Sequence, residues 1–184
     1  MNDNNNGAQL YASEEERLIL DSIDSFLERD VKPHVLRLEH ADEYPSDNVE
    51  QMKELGLFGA TISQQYGGLG MPSSTYAKVV STVSEVWMSL TGIFNSHLIM
   101  AAAVERFGTE SQKKRLLPSF STGEMRGGLA LTEPSCGTDL QAIRTLAVRE
   151  GDNYIINGNK TWISNGIEGN CVALLVKNDS EIQP

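Results

Sequence analysis

The chain has 184 residues, of which 40% are hydrophobic and 22% charged, and this is the composition of a folded globular protein rather than of a disordered chain. Its 25 acidic residues outnumber its 15 basic residues and give a net charge of −10, which argues against a nucleic-acid-binding face. Two cysteines are too few for a disulfide framework, and the sequence has no apolar signal core and no run of about eighteen apolar residues, so we expect a reduced, cytoplasmic protein without a membrane span.

The N-terminal part of the sequence predicts a short polar start followed by helices. Residues 1–12 are rich in Asn and predict a disordered segment. Ser13 and Glu16 have the spacing of a capping box, in which Ser13 accepts a backbone amide and Glu16 reaches back to the cap. Pro33 is expected to interrupt this first helix, because proline removes a backbone donor and clashes with the preceding turn.

The helical pattern continues through the middle of the chain. A glycine-rich loop over residues 64–74 fits neither nucleotide-binding pattern, since it has no G-x-G-x-x-G and no following Lys-Ser or Lys-Thr, and we interpret it as a connector. Residues 76–107 are largely apolar and predict buried helices with a break near Thr91. Thr109 begins a further capping box.

The periodicity changes after residue 125. Short β-branched and aromatic runs alternate there with Gly and Asn, which is typical of antiparallel strands and hairpins. The fold class is therefore α+β, with an all-α N-terminal domain over residues 13–125 and the start of an antiparallel β-barrel or sandwich domain over residues 126–184. Because no later element closes this sheet, we expect the chain to be the front part of a longer protein. The predicted strands are residues 129–131, 145–150, 154–158, 161–164 and 171–176.

Several catalytic patterns begin in the segment LALTEPSCGTDLQ, residues 129–141, but none is complete. Glu133 and Asp139 resemble a carboxylate pair, yet loop carboxylates are mostly structural, and we interpret Asp139 as a turn cap and Glu133 as a local hydrogen-bond partner. Cys136 as a nucleophile needs a histidine base, and all three histidines lie in the helical part. No histidine has a neighbouring ligand at metal spacing, so no metal site is predicted.

A cradle of small residues is the remaining interpretation of this segment. Thr132, Gly137 and Thr138 follow a predicted strand, and such a loop exposes backbone N–H groups that suit phosphate or carbonyl oxygens. Trp162 and Ser164 would add a flat apolar wall and a hydroxyl group, although a tryptophan is more often part of the core. Composition and spacing alone thus predict a helical domain and a β domain with a candidate loop site.

Four segments together resemble the acyl-CoA dehydrogenase family of flavoproteins. LALTEPSCGTD is similar to the family's T-E-P segment, and YIINGNKTWISNG is similar to its N-G-x-K-x-W-I-[ST]-N-[GA] segment. In the helical half, ELGLFGATISQQYGGLGMPS and ERFGTESQKKRLLPSFSTGE match in the family's order and spacing. The resemblance covers nearly the whole chain, and several motifs in register are far more specific than one.

The resemblance implies a fold and a reaction. The family has an N-terminal helical domain, a middle β domain and a C-terminal four-helix bundle, and we expect the bundle to be absent here. The family reaction converts an acyl-CoA thioester to a trans-2-enoyl-CoA: a glutamate takes the α-proton, and the β-hydride passes to N5 of FAD. Because that glutamate belongs to the bundle, no catalytic residue is expected in this chain, and the chain alone is not expected to turn over.

The resemblance also implies cofactor-binding residues. Leu131 and Thr132 would hydrogen-bond the flavin ring, Gly137 would let the backbone approach it, and Thr138 would reach the FAD pyrophosphate and the pantetheine part of acyl-CoA. Trp162 would pack on the flavin. The implied set is Leu129, Leu131, Thr132, Gly137, Thr138, Trp162, Ile163 and Ser164.

Substrate contacts and partners follow from the same resemblance. Ser164 would place its hydroxyl near N5, and Leu129 stands where the family more often has an aromatic residue. The implied partners are an acyl-CoA substrate, an electron-transfer flavoprotein or similar acceptor, and further copies of the chain in a homo-oligomer. An acyl-CoA oxidase, a flavin monooxygenase on the same scaffold and a non-catalytic flavin-binding fragment are the alternative functions. The implied substrate-binding residues are Thr138, Asn95, Ser96, Leu98 and Ile99.

Overall fold

The computed structural model describes residues 13–178, so the predicted disordered start at residues 1–12 lies outside the described part. Helix α1 (Glu14–Phe26) begins where the capping pattern predicts, because the Ser13 hydroxyl accepts the Glu16 amide at 3.1 Å. The Glu16 carboxylate is buried and pairs with the Lys78 ammonium at 2.7 Å. Glu16, which the sequence places in the capping box of α1, therefore also links α1 to the later helix that contains Lys78.

Four further helices complete the helical part. A π-helical turn at Leu27–Val31 follows α1, and the helix ends ahead of Pro33, as predicted. The Thr109 capping box is also confirmed: the Thr109 hydroxyl accepts the Gln112 amide at 3.2 Å, and the Thr109 amide donates to the Gln112 side chain at 2.8 Å. The helices are α2 (Val35–Ala41), α3 (Ser46–Glu54), α4 (Ser73–Phe107) and α5 (Glu110–Ser121), with 3-10 turns at Leu57–Gly59 and Gln64–Tyr66.

Helix α4 is the central element of the helical core, and it bends at Trp87 (φ −156°, ψ 102°). The predicted break near Thr91 is wrong, because Thr91 is helical and buried, and its hydroxyl bonds to the Ser84 hydroxyl at 2.9 Å. The Trp87 indole N–H donates to the Glu39 carboxylate, which ties the bend to α2. The buried residues of α4 that pack in this core include Val79, Val83, Leu90, Phe94, Leu98 and Met100.

By length and composition, α4 is the one helix among residues 13–178 that could cross a membrane, since an 18-residue window reaches a mean hydropathy of 1.2. Half of that window is buried inside the structure. Because its apolar side chains pack between α1, α5 and the first strand, the pattern is that of a central core helix.

The β region contains five short strands in its described part. β2 (Leu146–Glu150) and β3 (Asn153–Asn157) form the predicted antiparallel hairpin, with Gly151 at φ +62° in its turn. β1 (Gly127–Ala130) instead pairs in parallel with β4 (Cys171–Leu174), and β5 (Lys177–Asn178) pairs in parallel with β2. The expected antiparallel pairing therefore holds for one of the three strand pairs described.

One predicted strand is absent from this region. Residues 161–164 form a loop, because Trp162 and Asn165 adopt left-handed backbone conformations at φ 57° and φ 60°. The left-handed region lies apart from the extended β region, so a residue in it interrupts a regular strand. The strand-like composition of this segment therefore belongs to a loop rather than to a sheet.

Candidate functional site

The two segments that carry the family motifs of the β region lie side by side. The Thr161 amide donates to the Thr132 carbonyl oxygen at 3.0 Å. The Lys160 ammonium donates to the Leu131 carbonyl oxygen at 2.9 Å. Together these bonds join the chain that follows β1 to the loop that follows β3, although the two are far apart in sequence.

Glu133 anchors this junction from the inside. Its buried carboxylate accepts the Arg144 amide at 2.6 Å, the Thr145 amide at 2.9 Å and the Thr145 hydroxyl at 2.6 Å. The same carboxylate accepts the Lys160 ammonium at 2.9 Å. The structural interpretation of Glu133 is confirmed, but the prediction of local partners for its side chain is wrong, since these four donors lie at least eleven residues away along the chain.

The charge of Glu133 is fixed by these donors. The Thr145 hydroxyl, the Lys160 ammonium and the two backbone amides lower the pKa of Glu133 to about 2, against the opposing effect of desolvation. The carboxylate is therefore ionised at neutral pH and carries no proton to donate. Because its lone pairs are already engaged, it is also unsuited to act as a general base.

The turn that follows Glu133 is tightly closed. Glu133 and Cys136 exchange two backbone hydrogen bonds, at 2.9 Å and 3.1 Å. The Asp139 carboxylate accepts the Gln141 amide at 3.2 Å and caps a short 3-10 turn at Leu140–Ala142, which confirms the predicted turn cap. Both conspicuous carboxylates of this segment thus have structural roles.

Gly137 and Thr138 lie on the outside of this turn and are exposed. A Cβ atom added to Gly137 would find no other atom within 4 Å. The loop therefore leaves open space beside its backbone, as a ligand-binding loop requires.

The segment from Trp162 to Asn165 has an unusual backbone. Its two left-handed residues bracket Ile163 and Ser164. The Asn165 side-chain amide donates to the Ile93 carbonyl oxygen in α4 and to the Gly127 carbonyl oxygen in β1, each at 2.9 Å. A single side chain therefore links this segment to both the helical part and the β region.

Beside this segment lies an open cavity of about 430 Å³. Ile163 and Ser164 line it together with Ala130 of β1 and Val172 of β4. The indole of Trp162 is 90% exposed and lies outside the lining. Leu131, Thr132, Gly137 and Thr138 do not line the cavity either, so the predicted cofactor residues do not all converge on this cavity.

The side chain of Leu129 lies on the side of β1 that faces away from the cavity. Neighbouring residues of a strand face opposite ways, so Gly128 and Ala130 line the cavity while Leu129 packs against the helical core. Its predicted flavin contact is therefore not supported by the position of its side chain.

The predicted substrate residues of α4 have different surroundings. The Asn95 side-chain oxygen accepts the Tyr76 hydroxyl at 2.7 Å, and Ser96 faces the backbone of Gly128. Leu98 is buried in the helical core, whereas Ile99 is exposed. The spacing of these four residues places them on one broad side of α4, but their side chains have different surroundings and do not line a common pocket in the described structure.

Three residues of this site were not singled out from the sequence: Thr145, Lys160 and Asn165. The Asn165-Gly166 dipeptide carries a signal for a left-handed residue, because Asn tolerates that conformation better than most residues. Lys160 and Thr145 carry no such local signal, since their partner Glu133 is remote in sequence.

Comparison with known proteins identifies the family. Residues 13–124 match the profile of the N-terminal domain of acyl-CoA dehydrogenases, and residues 128–183 match the profile of their middle domain. The chain belongs to the acyl-CoA dehydrogenase family. The short-chain specific acyl-CoA dehydrogenase of Clostridium acetobutylicum is 37% identical over 83% of this chain and 40% of its own length. The (2S)-methylsuccinyl-CoA dehydrogenase of Cereibacter sphaeroides is 34% identical over 98% of this chain and 34% of its own length.

Solved structures of acyl-CoA dehydrogenases share the fold. A glutaryl-CoA dehydrogenase from Mycobacterium smegmatis superposes with a TM-score of 0.86 at 30% identity, covering 94% of this chain and 45% of that one. A chain in the structure of the electron transferring flavoprotein of Acidaminococcus fermentans superposes with a TM-score of 0.87 at 31% identity, covering 94% of this chain and 46% of that one. These matches confirm a helical N-terminal domain followed by a β region. The chain spans less than half the length of the relatives it matches.

Proposed function

We propose that the protein carrying this chain is an FAD-dependent acyl-CoA dehydrogenase, which oxidises an acyl-CoA thioester to the trans-2-enoyl-CoA. The family's members are oxidoreductases that act on CH–CH donors. The observation that carries the proposal is the hydrogen bond between Thr161 and Thr132, because it joins the two segments that resemble the flavin-binding motifs.

The residues of this region fit a flat, polar-edged cofactor. The exposed Trp162 indole offers an apolar wall, the nearby cavity is lined by Ile163 and Ala130, and the open loop at Gly137 leaves room for backbone approach. A glutaryl-CoA dehydrogenase structure from Mycobacterium smegmatis contains FADH2, which supports the same cofactor here. When bound, FAD would supply the hydride acceptor.

The residues of this chain would bind and orient that cofactor. Leu131 and Thr132 would hold the ring edge, Thr138 would donate its hydroxyl to the pyrophosphate and contact the substrate, and Trp162 would exclude water from one side of the ring. Ser164 would orient the ring through its hydroxyl. The proton-abstracting base is proposed to lie outside this chain, because Glu133 is ionised, fully engaged and buried.

The wider predictions also become proposals. The likeness to the Acidaminococcus fermentans structure supports an electron-transfer flavoprotein or similar acceptor as the partner. The ranges matched by the two family profiles support a domain boundary between residues 125 and 126. We propose that the described strands belong to a β-barrel or sandwich completed by other residues. The homo-oligomer, the cytoplasmic location and the substrate roles of Asn95, Ser96, Leu98 and Ile99 stay predictions.

The test uses the full-length protein with bound FAD. Mixing it without oxygen with acyl-CoAs of increasing chain length should bleach the visible flavin absorbance and yield an enoyl-CoA, whereas free CoA should do neither. No bleaching with any acyl-CoA would contradict the proposal. Rapid reoxidation by air with release of peroxide would instead favour an acyl-CoA oxidase.

A further inference from the structure

The segment Lys160–Asn165 is fixed at both of its ends. At the first end, the Lys160 ammonium bonds to the Leu131 carbonyl oxygen and to Glu133, each at 2.9 Å. At the other end, the Asn165 amide bonds to the carbonyl oxygens of Ile93 and Gly127, each at 2.9 Å. Trp162 and Ser164 lie between these two attachments.

The backbone between the attachments is strained. Trp162 and Asn165 both occupy the left-handed region, and a bulky residue such as Trp rarely does so. Such conformations persist only where the surrounding structure holds them. The indole of Trp162 is exposed and does not supply that restraint, so the restraint comes from the attachments at the ends of the segment.

We propose that Asn165 is a positioning residue that holds Trp162 and Ser164 in a fixed place relative to helix α4. The inference rests on the proposed function, since Trp162 and Ser164 are flavin contacts only under it. Its chemical basis is the short primary amide, whose two N–H groups reach α4 and β1 at once. An isosteric carboxylate has no donor for either carbonyl oxygen.

The location of the two acceptor carbonyl groups determines which parts of the site Asn165 connects. Ile93 lies two residues before Asn95, the first predicted substrate residue of α4, and Gly127 begins the strand that leads to Leu131 and Thr132. Asn165 therefore connects the proposed substrate side and both proposed flavin segments. A shift of about 1 Å in reacting groups is enough to reduce a rate about a hundredfold.

The test compares one isosteric and one truncating substitution of Asn165 in the full-length protein. Asn165→Asp removes both donated bonds, and Asn165→Gly removes them without adding charge while allowing the left-handed backbone. The matched control is Asn48→Asp in α3, which removes the buried amide's bond to the Asp30 carbonyl oxygen (3.1 Å) at a residue that does not line the cavity beside Ser164. The readouts are amide hydrogen exchange at Thr161 and Gly166, FAD affinity, and the rate of flavin bleaching by saturating acyl-CoA.

Both Asn165 variants should exchange the Thr161 and Gly166 amides at least about tenfold faster, bind FAD more weakly and bleach at least about tenfold more slowly. Asn48→Asp should lower the unfolding temperature but leave these three readouts unchanged. Asn165 variants that match Asn48→Asp in exchange would overturn the inference. If the unmodified protein is not bleached by any acyl-CoA, the proposed function fails, and the exchange measurement still decides the positioning role.

Discussion

The ammonium group of Lys160 lies 2.9 Å from a carboxylate oxygen of Glu133, and the two side chains are only 9% and 3% exposed. A buried ion pair adds little when both partners are present, because desolvation offsets their attraction. Removing one partner is far more disruptive, since the other charge stays buried without compensation. Loss of one partner is therefore expected to destabilise the junction of the two motif segments more than loss of both partners.

Replacing Glu133 alone should destabilise the protein strongly. Glu133→Gln keeps the shape but leaves the Lys160 ammonium without its counter-charge, so we expect a fall of several degrees or more in the midpoint of thermal unfolding. The double variant Glu133→Gln/Lys160→Met should unfold at a higher temperature than Glu133→Gln alone. Glu150→Gln at the exposed end of β2 is the control and should melt like the unmodified protein. A Glu133→Gln midpoint equal to that of Glu150→Gln would contradict the prediction.

The same carboxylate should make stability sensitive to acid. The folded-state pKa of Glu133 is about 2, below its ordinary value of 4.5, so the unfolded chain takes up the proton first. Its contribution is complete above pH 4.5 and is lost as the pH falls through 2. Urea unfolding across this window should show a steeper loss for the unmodified protein than for Glu133→Gln, and equal slopes would count against the assignment.

His97 should produce a separate pH dependence at higher pH. Burial lowers its pKa to about 4, and its Nε2 atom lies 3.0 Å from the Phe120 carbonyl oxygen, which makes this nitrogen the donor of a neutral ring. The unfolded chain binds a proton from about pH 6.5, so stability should fall by on the order of 3 kcal/mol between pH 6.5 and 4.

Unfolding of His97→Gln measures this contribution, because glutamine keeps a donor for Phe120 but does not titrate. The variant should lose less stability over that pH range than the unmodified protein. His40→Gln, at an exposed position of α2, should retain the full dependence. An identical profile for His97→Gln would show that His97 is not the titrating group.

Trp162→Ala should separate folding from cofactor retention. The side chain is 90% exposed, so unfolding free energy should change by less than about 0.5 kcal/mol. If the indole covers the flavin, the dissociation constant for FAD should rise about tenfold or more, which corresponds to the loss of one aromatic contact. Phe107→Ala, at a side chain that is 77% exposed at the end of α4, should change neither quantity. Unchanged FAD affinity in Trp162→Ala would remove Trp162 from the site.

Two glycine substitutions should affect different properties, one the stability of the fold and the other FAD binding. A Cβ at Gly128 would collide with the Ser96 hydroxyl and lie 2.9 Å from the Ser164 carbonyl oxygen, so Gly128→Ala should lower the unfolding free energy by about 1–3 kcal/mol. A Cβ at Gly137 meets no protein atom within 4 Å, so Gly137→Ala should fold normally but bind FAD more weakly if the cofactor lies there. Calorimetry and FAD titration of both variants test this pair, and normal FAD binding by Gly137→Ala would contradict the predicted contact.

The sequence predicts helix caps, turns and hairpins correctly where the interacting residues are close neighbours in the chain. The Thr109 cap, the Asp139 turn cap and the hairpin around Gly151 each depend on residues within a few positions, and each is confirmed. The bend of α4 was misplaced because Thr91 and Gly92 are weak helix formers, whereas the tertiary bond from Trp87 to Glu39 decides where the helix bends.

The sequence does not predict interactions between residues that are far apart in the chain. Glu133 was interpreted as a local partner because its donors, Arg144, Thr145 and Lys160, are scattered along the sequence. The segment 161–164 has the composition of a strand, but the tertiary bonds of Asn165 impose left-handed geometry on it. In the sequence, the two segments are linked only by their resemblance to the family motifs. The structure shows the hydrogen bonds that join them.

The parallel pairing of β1 with β4 has a consequence for folding kinetics. The hairpin of β2 and β3 closes a two-residue turn, but β1 meets β4 only after the whole stretch 131–170 has been brought back on itself. Closing a long loop costs more conformational entropy, so we expect the hairpin to form early and the β1–β4 pair late. The second motif segment, and all but the first two residues of the first, lie inside that loop. The surface proposed to hold the cofactor is therefore expected to assemble in the last steps of folding, and a ligand that binds it would act mainly by slowing unfolding.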